Sequence, residues 1–451
     1  MDFPLFHLAY FGDRTLIAVI AILHVLINHA FAVGFIPLVV VLERQAAARG
    51  DAAGDALAKR FMGVAFVLTT TIGALTGVGI WLSTALINPE AIGSLLRVFF
   101  WAWFTEWLVF ISEVALILAY YLTWDQWTGP RKAAHIRLGW TLAAFSWITM
   151  AIIVAILGFM LTPGSWASER GLFSGLLNPT YLPQLAFRTP LALAMAGCVG
   201  LALSVLFTER DSDLRHRTVR FCGLWTLVFL PFAAAGLVWW WASVPADLAQ
   251  NLATALATQQ AAAQSYVVLW TLLGLAGIVV AVAALAVIAP RRIGLTLAVI
   301  ALVATCLELG WFERTREFLR KPWSVPGYLY ANRFRAEDYP MLQRDGILAH
   351  AAWSPVRQVT AGNRLVAGRT VFDLACATCH TVDGLNGMRA ILRTMYGPPP
   401  WDADAIAAYI ATIHDSRFYM PPFPGNDTER EALGAWLAAL GSPLTVAGKA
   451  P

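Results

Sequence analysis

Five consecutive residues carry the strongest chemical signal in the chain: Cys376-Ala377-Thr378-Cys379-His380. Two thiols three positions apart, followed at once by an imidazole, form the C-x-x-C-H pattern that attaches c-type haem. The thiols add to the porphyrin vinyl groups, and the same turn carries His380 beneath the iron as proximal ligand. Forty residues on, Met420 stands in Tyr419-Met420-Pro421-Pro422. A thioether in the sixth position gives low-spin iron with a raised potential. Met388 and Met395 are rivals for that place. The alternative of a zinc site needs a fourth ligand, and only His414 is near.

A second set of reactive side chains lies inside apolar runs, where ionisable groups are costly and are functional candidates by default. These are His24 and His29, then Glu106 and Glu113, then Arg188, then Glu308 and Glu313, with Glu317 just beyond the last run. At a helical rise of about 1.5 Å per residue, His24 and Glu106 lie roughly 14 and 12 Å deep, and His29 and Glu113 roughly 21–22 Å. Arg188 and Glu317 fall near the outer surface. An imidazole suits haem iron as an axial ligand, and a carboxylate leaves iron more open. His24 therefore reads as a ligand and Glu106 as a haem-site group. Glu113 reads as a proton relay, and His29 as relay or packing. His135 and His216 read as surface residues of basic loops.

These groups need a frame that can hold them in lipid. The chain has 451 residues, 58% hydrophobic and 13% charged, with 19 Trp. Its mean hydropathy is +0.62. Soluble domains carry about 25% charged residues, so most of this chain belongs in a membrane. A net charge of +4 gives no basic stripe, which excludes nucleic acid as a partner. Eight apolar runs, near 15–42, 61–86, 98–123, 136–162, 183–207, 221–244, 264–289 and 293–313, are long enough to span. They must be helices, because lipid leaves no unpaired backbone group satisfied. The expected fold is all-α, a polytopic bundle of about eight helices followed by a small helical domain. The expected divisions are 1–313 for the bundle, 314–360 for an extramembrane connector and 361–451 for the C-terminal domain.

Loops after the first, third, fifth and seventh runs carry thirteen Lys and Arg, from Arg44 to Arg292; the other side has Arg14, Arg97 and Arg170. The basic side is cytoplasmic by the positive-inside rule, which places both ends of the chain outside. In a bacterium that is the periplasmic face of the inner membrane, where c-type haem is attached. The N-terminal stretch lacks the pattern of a cleaved signal, so the first apolar run reads as the insertion signal.

The C-terminal region resembles a single-haem class I cytochrome c over about 85 residues. The order of features upstream resembles subunit I of the cytochrome bd quinol oxidases over about residues 10–330. It rests on His24 ahead of Glu43, Glu106 and Glu113 on one run, Lys132-x-x-His135 leading to Gly158-Phe159-Met160-x-x-Pro163, Asn178-Pro179, and Glu317-Phe-Leu-Arg320-Lys321-Pro322-Trp323. The last is similar to the family's E-x-G-R-Q-P-W segment. The resemblance implies that His24, Glu106 and Glu317 surround the high-spin haems b and d, and that Glu113 serves proton delivery. The sequence also departs from the family. Arg188 stands where the family's low-spin haem ligand, a His, would be; the seventh run has no Met; and residues 245–263 are too short for the family's quinol loop.

Three functions stay open at this point. The first is respiratory electron transfer between haem c and one or two b-type haems, with haem d as a variant and oxygen as acceptor. The second is a quinol-oxidising or relay subunit that delivers electrons to a soluble cytochrome or other periplasmic redox protein, with a second membrane subunit as partner. The third is a non-catalytic membrane anchor or sensor bearing haem.

Overall fold

The structure is a computed structural model that describes residues 6–258 and 261–442. The ends of the chain, including residues 443–451 of the expected C-terminal domain, lie outside the described residues, as do 259–260 of the segment 245–263. Eight helices among the described residues are long and apolar enough to cross a membrane: α1 Asp13–Arg49, α2 Ala52–Ile87, α3 Pro89–Leu122, α4 Gly129–Phe159, α5 Tyr181–Phe207, α6 Asp213–Ala242, α7 Ala262–Ile288 and α8 Leu295–Leu319. This agrees with the eight expected spans.

The first three helices overshoot the expected limits. At 37, 36 and 34 residues they are about 50–55 Å long, well beyond the roughly 30 Å hydrocarbon layer. The chain accordingly divides into two compact units that cut across these helices. One unit holds residues 21–78 and 96–319; the other holds 1–20, 79–95 and 320–451. The overshooting ends of α1, α2 and α3 thus belong with the C-terminal part of the chain. Helix α8 runs to Leu319, so Glu317 sits in its last turn and not beyond it.

In the larger unit α5 is central, and side chains from Pro183 to Ser204 are buried around its circumference. Small residues allow this. A Cβ on Gly197 would meet Thr226 Oγ1 at 2.1 Å, and one on Gly236 would meet the Ala186 backbone at 2.5 Å. Such close backbone approach is how helices pack where lipid removes the hydrophobic drive. Basic loops meet one another as the charge pattern requires. Arg217 pairs with Asp51 at 2.9 Å, Lys132 with Asp55 at 2.6 Å, and Lys59 with Asp125. Gly50, at φ +62°, closes α1, and the Asp51 side chain caps α2 by accepting from Gly54 N.

The smaller unit has a hairpin of β1 Trp323–Val325 and β2 Leu329–Tyr330. Helices α9 Tyr339–Asp345, α10 Arg364–Ala375, α11 Met388–Tyr396, α12 Ala403–Ala411 and α13 Asp427–Ala439 follow. Helices α10 and α13 touch backbone to backbone, since a Cβ on Gly368 would meet Ala432 O at 2.1 Å. One apolar core joins Phe334, Tyr339, Ile347 and Leu348 to Val371, Phe372, Leu433 and Trp436. Much of the expected connector is therefore built into the C-terminal core. Glu429 fixes the join, accepting from the backbone N–H groups of Ile347 and Leu348 at 2.8 Å each.

Candidate functional site

The C-x-x-C-H residues lie at the C-terminal end of α10. Cys376 and Cys379 are free, half-buried thiols, and burial pushes the Cys376 thiol up to about 12. His380 Nδ1 lies 3.3 Å from the Asn386 carbonyl, and the Asn386 side chain donates to the Cys379 carbonyl at 2.8 Å. With Nδ1–H donated to that carbonyl, Nε2 keeps its lone pair for iron. Burial first, and then the nearby Arg14 cation, push His380 down to about 4. It is a neutral ligand at any ordinary pH. Asn386 makes this loop at φ +57°, a left-handed conformation to which Asn is suited.

Met420 is half-buried, and its carbonyl accepts from His414 Nδ1 at 2.7 Å. His414 thus helps hold the methionine loop. Among the described residues no group of three or more His, Cys, Asp or Glu is arranged to hold a metal ion. Thiols, an oriented imidazole and a tethered methionine fit a covalently held haem.

In the larger unit His24 is the most ligand-like side chain. Its Nδ1 lies 3.1 Å from the Gly73 carbonyl and 3.2 Å from Thr76 Oγ1. The Thr76 hydroxyl spends its own hydrogen on the Ile72 carbonyl at 2.6 Å. Both groups facing Nδ1 are therefore acceptors, so Nδ1 carries the hydrogen and Nε2 is a bare lone pair. Gly73 ends a π-helical turn, Thr69–Gly73, and His29 lies in a second, Asn28–Val33. Single π turns within α-helices concentrate at functional sites. The sequence gives no sign of them beyond the Thr69-Thr70-Thr71 run, whose hydroxyls bond back to carbonyls of the preceding turn.

His29 is differently engaged. Its Nδ1 donates to the Val25 carbonyl at 2.9 Å, and Nε2 accepts from Arg188 Nη1 at 3.2 Å. Arg188 also pairs with Glu313, which takes Arg316 on its other oxygen at 3.2 Å. All four side chains are buried. This corrects the two-layer reading that separated His29 from Arg188 by depth.

Glu106 is half-buried on α3. Glu113, seven residues on, accepts from Ser146 at 2.6 Å and Thr149 at 3.4 Å on α4. Glu317 is half-buried. The helices bring Glu113 to α4 and His24 to α2. Apolar side chains along α3, among them Trp101, Phe104 and Trp107, are exposed and meet lipid.

One expectation fails outright. His135 is not a surface residue but fully buried. Its ring lies 2.5 Å from Glu43 Oε1 and 2.8 Å from the Tyr120 carbonyl. Glu43 also takes Tyr120 OH at 2.6 Å and Lys132 at 2.8 Å. The signal available was the Lys132-x-x-His135 spacing, which sets both side chains on one face of α4.

With this geometry in view, the comparisons divide as the chain does. Residues 363–437 match the family described as cytochrome C oxidase, cbb3-type, subunit III. These residues form a class I c-type cytochrome domain. No curated protein matches the chain. Among solved structures the chain is similar to bd oxidase from Geobacillus thermodenitrificans, at 16% identity and a TM-score of 0.57. The match covers 76% of this chain and 95% of that one. It shows a bd-oxidase-like fold over the membrane part, joined to a cytochrome c domain. The protein is accordingly a multi-pass membrane redox protein for electron transfer, and the cytochrome domain implies haem c.

Proposed function

We propose that the protein passes electrons between haem c and b-type haem in its membrane bundle, as a cytochrome c-fed oxygen reductase of bd-like fold. Haem supplies a metal that changes oxidation state by one electron and, where a coordination position stays open, binds oxygen. Cys376, Cys379, His380 and Met420 hold haem c. His24 is the axial ligand in the bundle, with Glu106 and Glu317 as the acidic groups of that site. Glu113, held by two hydroxyls, delivers protons. The cytochrome c domain faces the periplasm of a bacterial inner membrane.

The carrying observation is the His24 tautomer, whose hydrogen is fixed on Nδ1 by two acceptors on α2. Arg188 supports entry of electrons at haem c. It stands at the low-spin ligand position of the bd family, and its guanidinium is bound to Glu313 and His29, so it cannot ligate iron. Arg188 thus serves as the buried charge partner of Glu313.

The test is a reduced-minus-oxidised spectrum of the purified chain, with and without carbon monoxide. A b-type signal that shifts with carbon monoxide in the wild type and vanishes in His24→Ala is the expected result. Full b-type signal in His24→Ala, or no response to carbon monoxide, would overturn the proposal.

A further inference from the structure

Arg333 lies between β2 and α9, outside the helices that carry the motifs. It is 2% exposed and adopts φ +79°, a left-handed conformation unfavourable for a long side chain. Its Nη2 donates to Thr378 Oγ1 at 2.7 Å. Thr378 stands between the two haem-attaching cysteines. Among the described residues the other nitrogens, Nε and Nη1, have no hydrogen-bond partner. Leaving donors of a buried cation unpaired is costly, and so is the backbone strain.

Charges facing this guanidinium come from three places. Asp13, buried at the start of α1, accepts from His7 Nδ1 at 2.6 Å and Leu8 N at 2.9 Å. Glu90 lies in the first turn of α3, and its Oε2 is also unpartnered. Burial disfavours the charge of Arg333, and both carboxylates favour it. Arg14 donates to the Ala331 carbonyl at 3.3 Å and reaches His380 electrostatically. The N-terminal segment meets the loop after the haem motif. Tyr10 O accepts from Leu385 N at 2.8 Å, and a Cβ on Gly384 would lie 1.9 Å from the same oxygen.

We infer that Arg333 is a positioning residue of the haem c site: its buried cation on Thr378, offset by Glu90 and Asp13, raises the potential of the haem attached there. A guanidinium stays charged in proteins. Reduction adds an electron beside it, so the fixed cation favours the reduced form. In a water-poor setting that attraction is little screened. Of the ordinary cations only Arg can hold Thr378 with one nitrogen and still face outward with two more.

The inference rests on the haem c assignment, and the experiment separates the two. The full chain, purified in detergent, is titrated spectroelectrochemically at the haem c α-band. Arg333→Gln lowers the reduction equilibrium constant about tenfold, 59 mV for one electron. Arg333→Lys stays within about threefold of wild type. Glu90→Gln, which removes an offsetting charge, moves the potential upward. If Arg333→Gln does not mature, Glu90→Gln carries the test alone. An unchanged potential in Arg333→Gln, equal losses in the Gln and Lys variants, or no rise in Glu90→Gln would overturn the inference. Wild-type protein without haem stain on a denaturing gel would instead remove the haem c assignment itself.

Discussion

The two redox regions of this molecule are built in opposite ways. The haem c site is nearly all local: thiols and proximal imidazole fall within five residues, and the loop from Thr381 to Gly387 orients the ring. Of its expected ligands only Met420 arrives from a distance, and His414, six residues before it, fixes its backbone. The membrane region is assembled from afar. His24 depends on α2, Glu113 on α4, and His29 on α5 and, through Arg188, on α8. A site made from one stretch of chain can move between proteins as a unit; a site made from six helices exists only in its own bundle. The contrast explains why a family match is found for residues 363–437 while the bundle is matched by fold at 16% identity.

The sharpest way to break this contrast is to remove the local site. Cys376→Ser with Cys379→Ser abolishes covalent haem altogether and leaves b-type haem, as a haem-stained gel and a pyridine haemochrome spectrum would read. His24→Ala does the reverse, with loss of the b-type signal and haem c at full occupancy. Loss of both haems in either variant would mean that the two sites are not independent.

Next in size is Arg188→Ala. It strands the buried Glu313 carboxylate, and removing one member of a buried pair costs about 3–5 kcal/mol. Thermal unfolding of the detergent-solubilised chain should show a large drop, while the haem c spectrum of the folded fraction is unchanged. A stability near wild type would mean that Glu313 is already neutral.

Met420→Ala is smaller in reach and keeps the haem attached. The ferrous and ferric spectra lose their low-spin character, and the potential falls, because the thioether favours reduced iron. Retained low-spin character would pass the sixth position to Met388 or Met395.

The smallest effect concerns acid. Without haem the folded domain holds His380 unprotonated down to about pH 4, whereas the unfolded chain takes a proton near 6.5. Between these values the unfolded state binds more protons, so the histidine's contribution to stability falls as pH drops from 6.5 towards 4 and is constant above 6.5. A titration of domain stability in His380→Asn, compared with wild type, should show the difference confined to that window.

Much of the fold was legible from composition alone. Eight runs deficient in charge became eight helices, because lipid leaves the backbone no other way to satisfy itself. The C-x-x-C-H site was legible because its chemistry and its geometry are both set by neighbouring residues. The membrane candidates were legible as residue types but not as partners. His135 looked like a surface residue because it borders a basic loop; its burial depends on Glu43 and Tyr120, 92 and 15 residues away. His29 looked separate from Arg188 because sequence position measures distance along one helix and not which side chains of other helices pack against it. Arg333 gave no signal, since one arginine in a polar stretch resembles any other until folding sets it against Thr378. What the sequence determined by itself was the solvent each segment needs and the one contact set closed within a few residues. What tertiary structure decided was which buried charge meets which, because those energies depend on distances across helices, and only packing sets them.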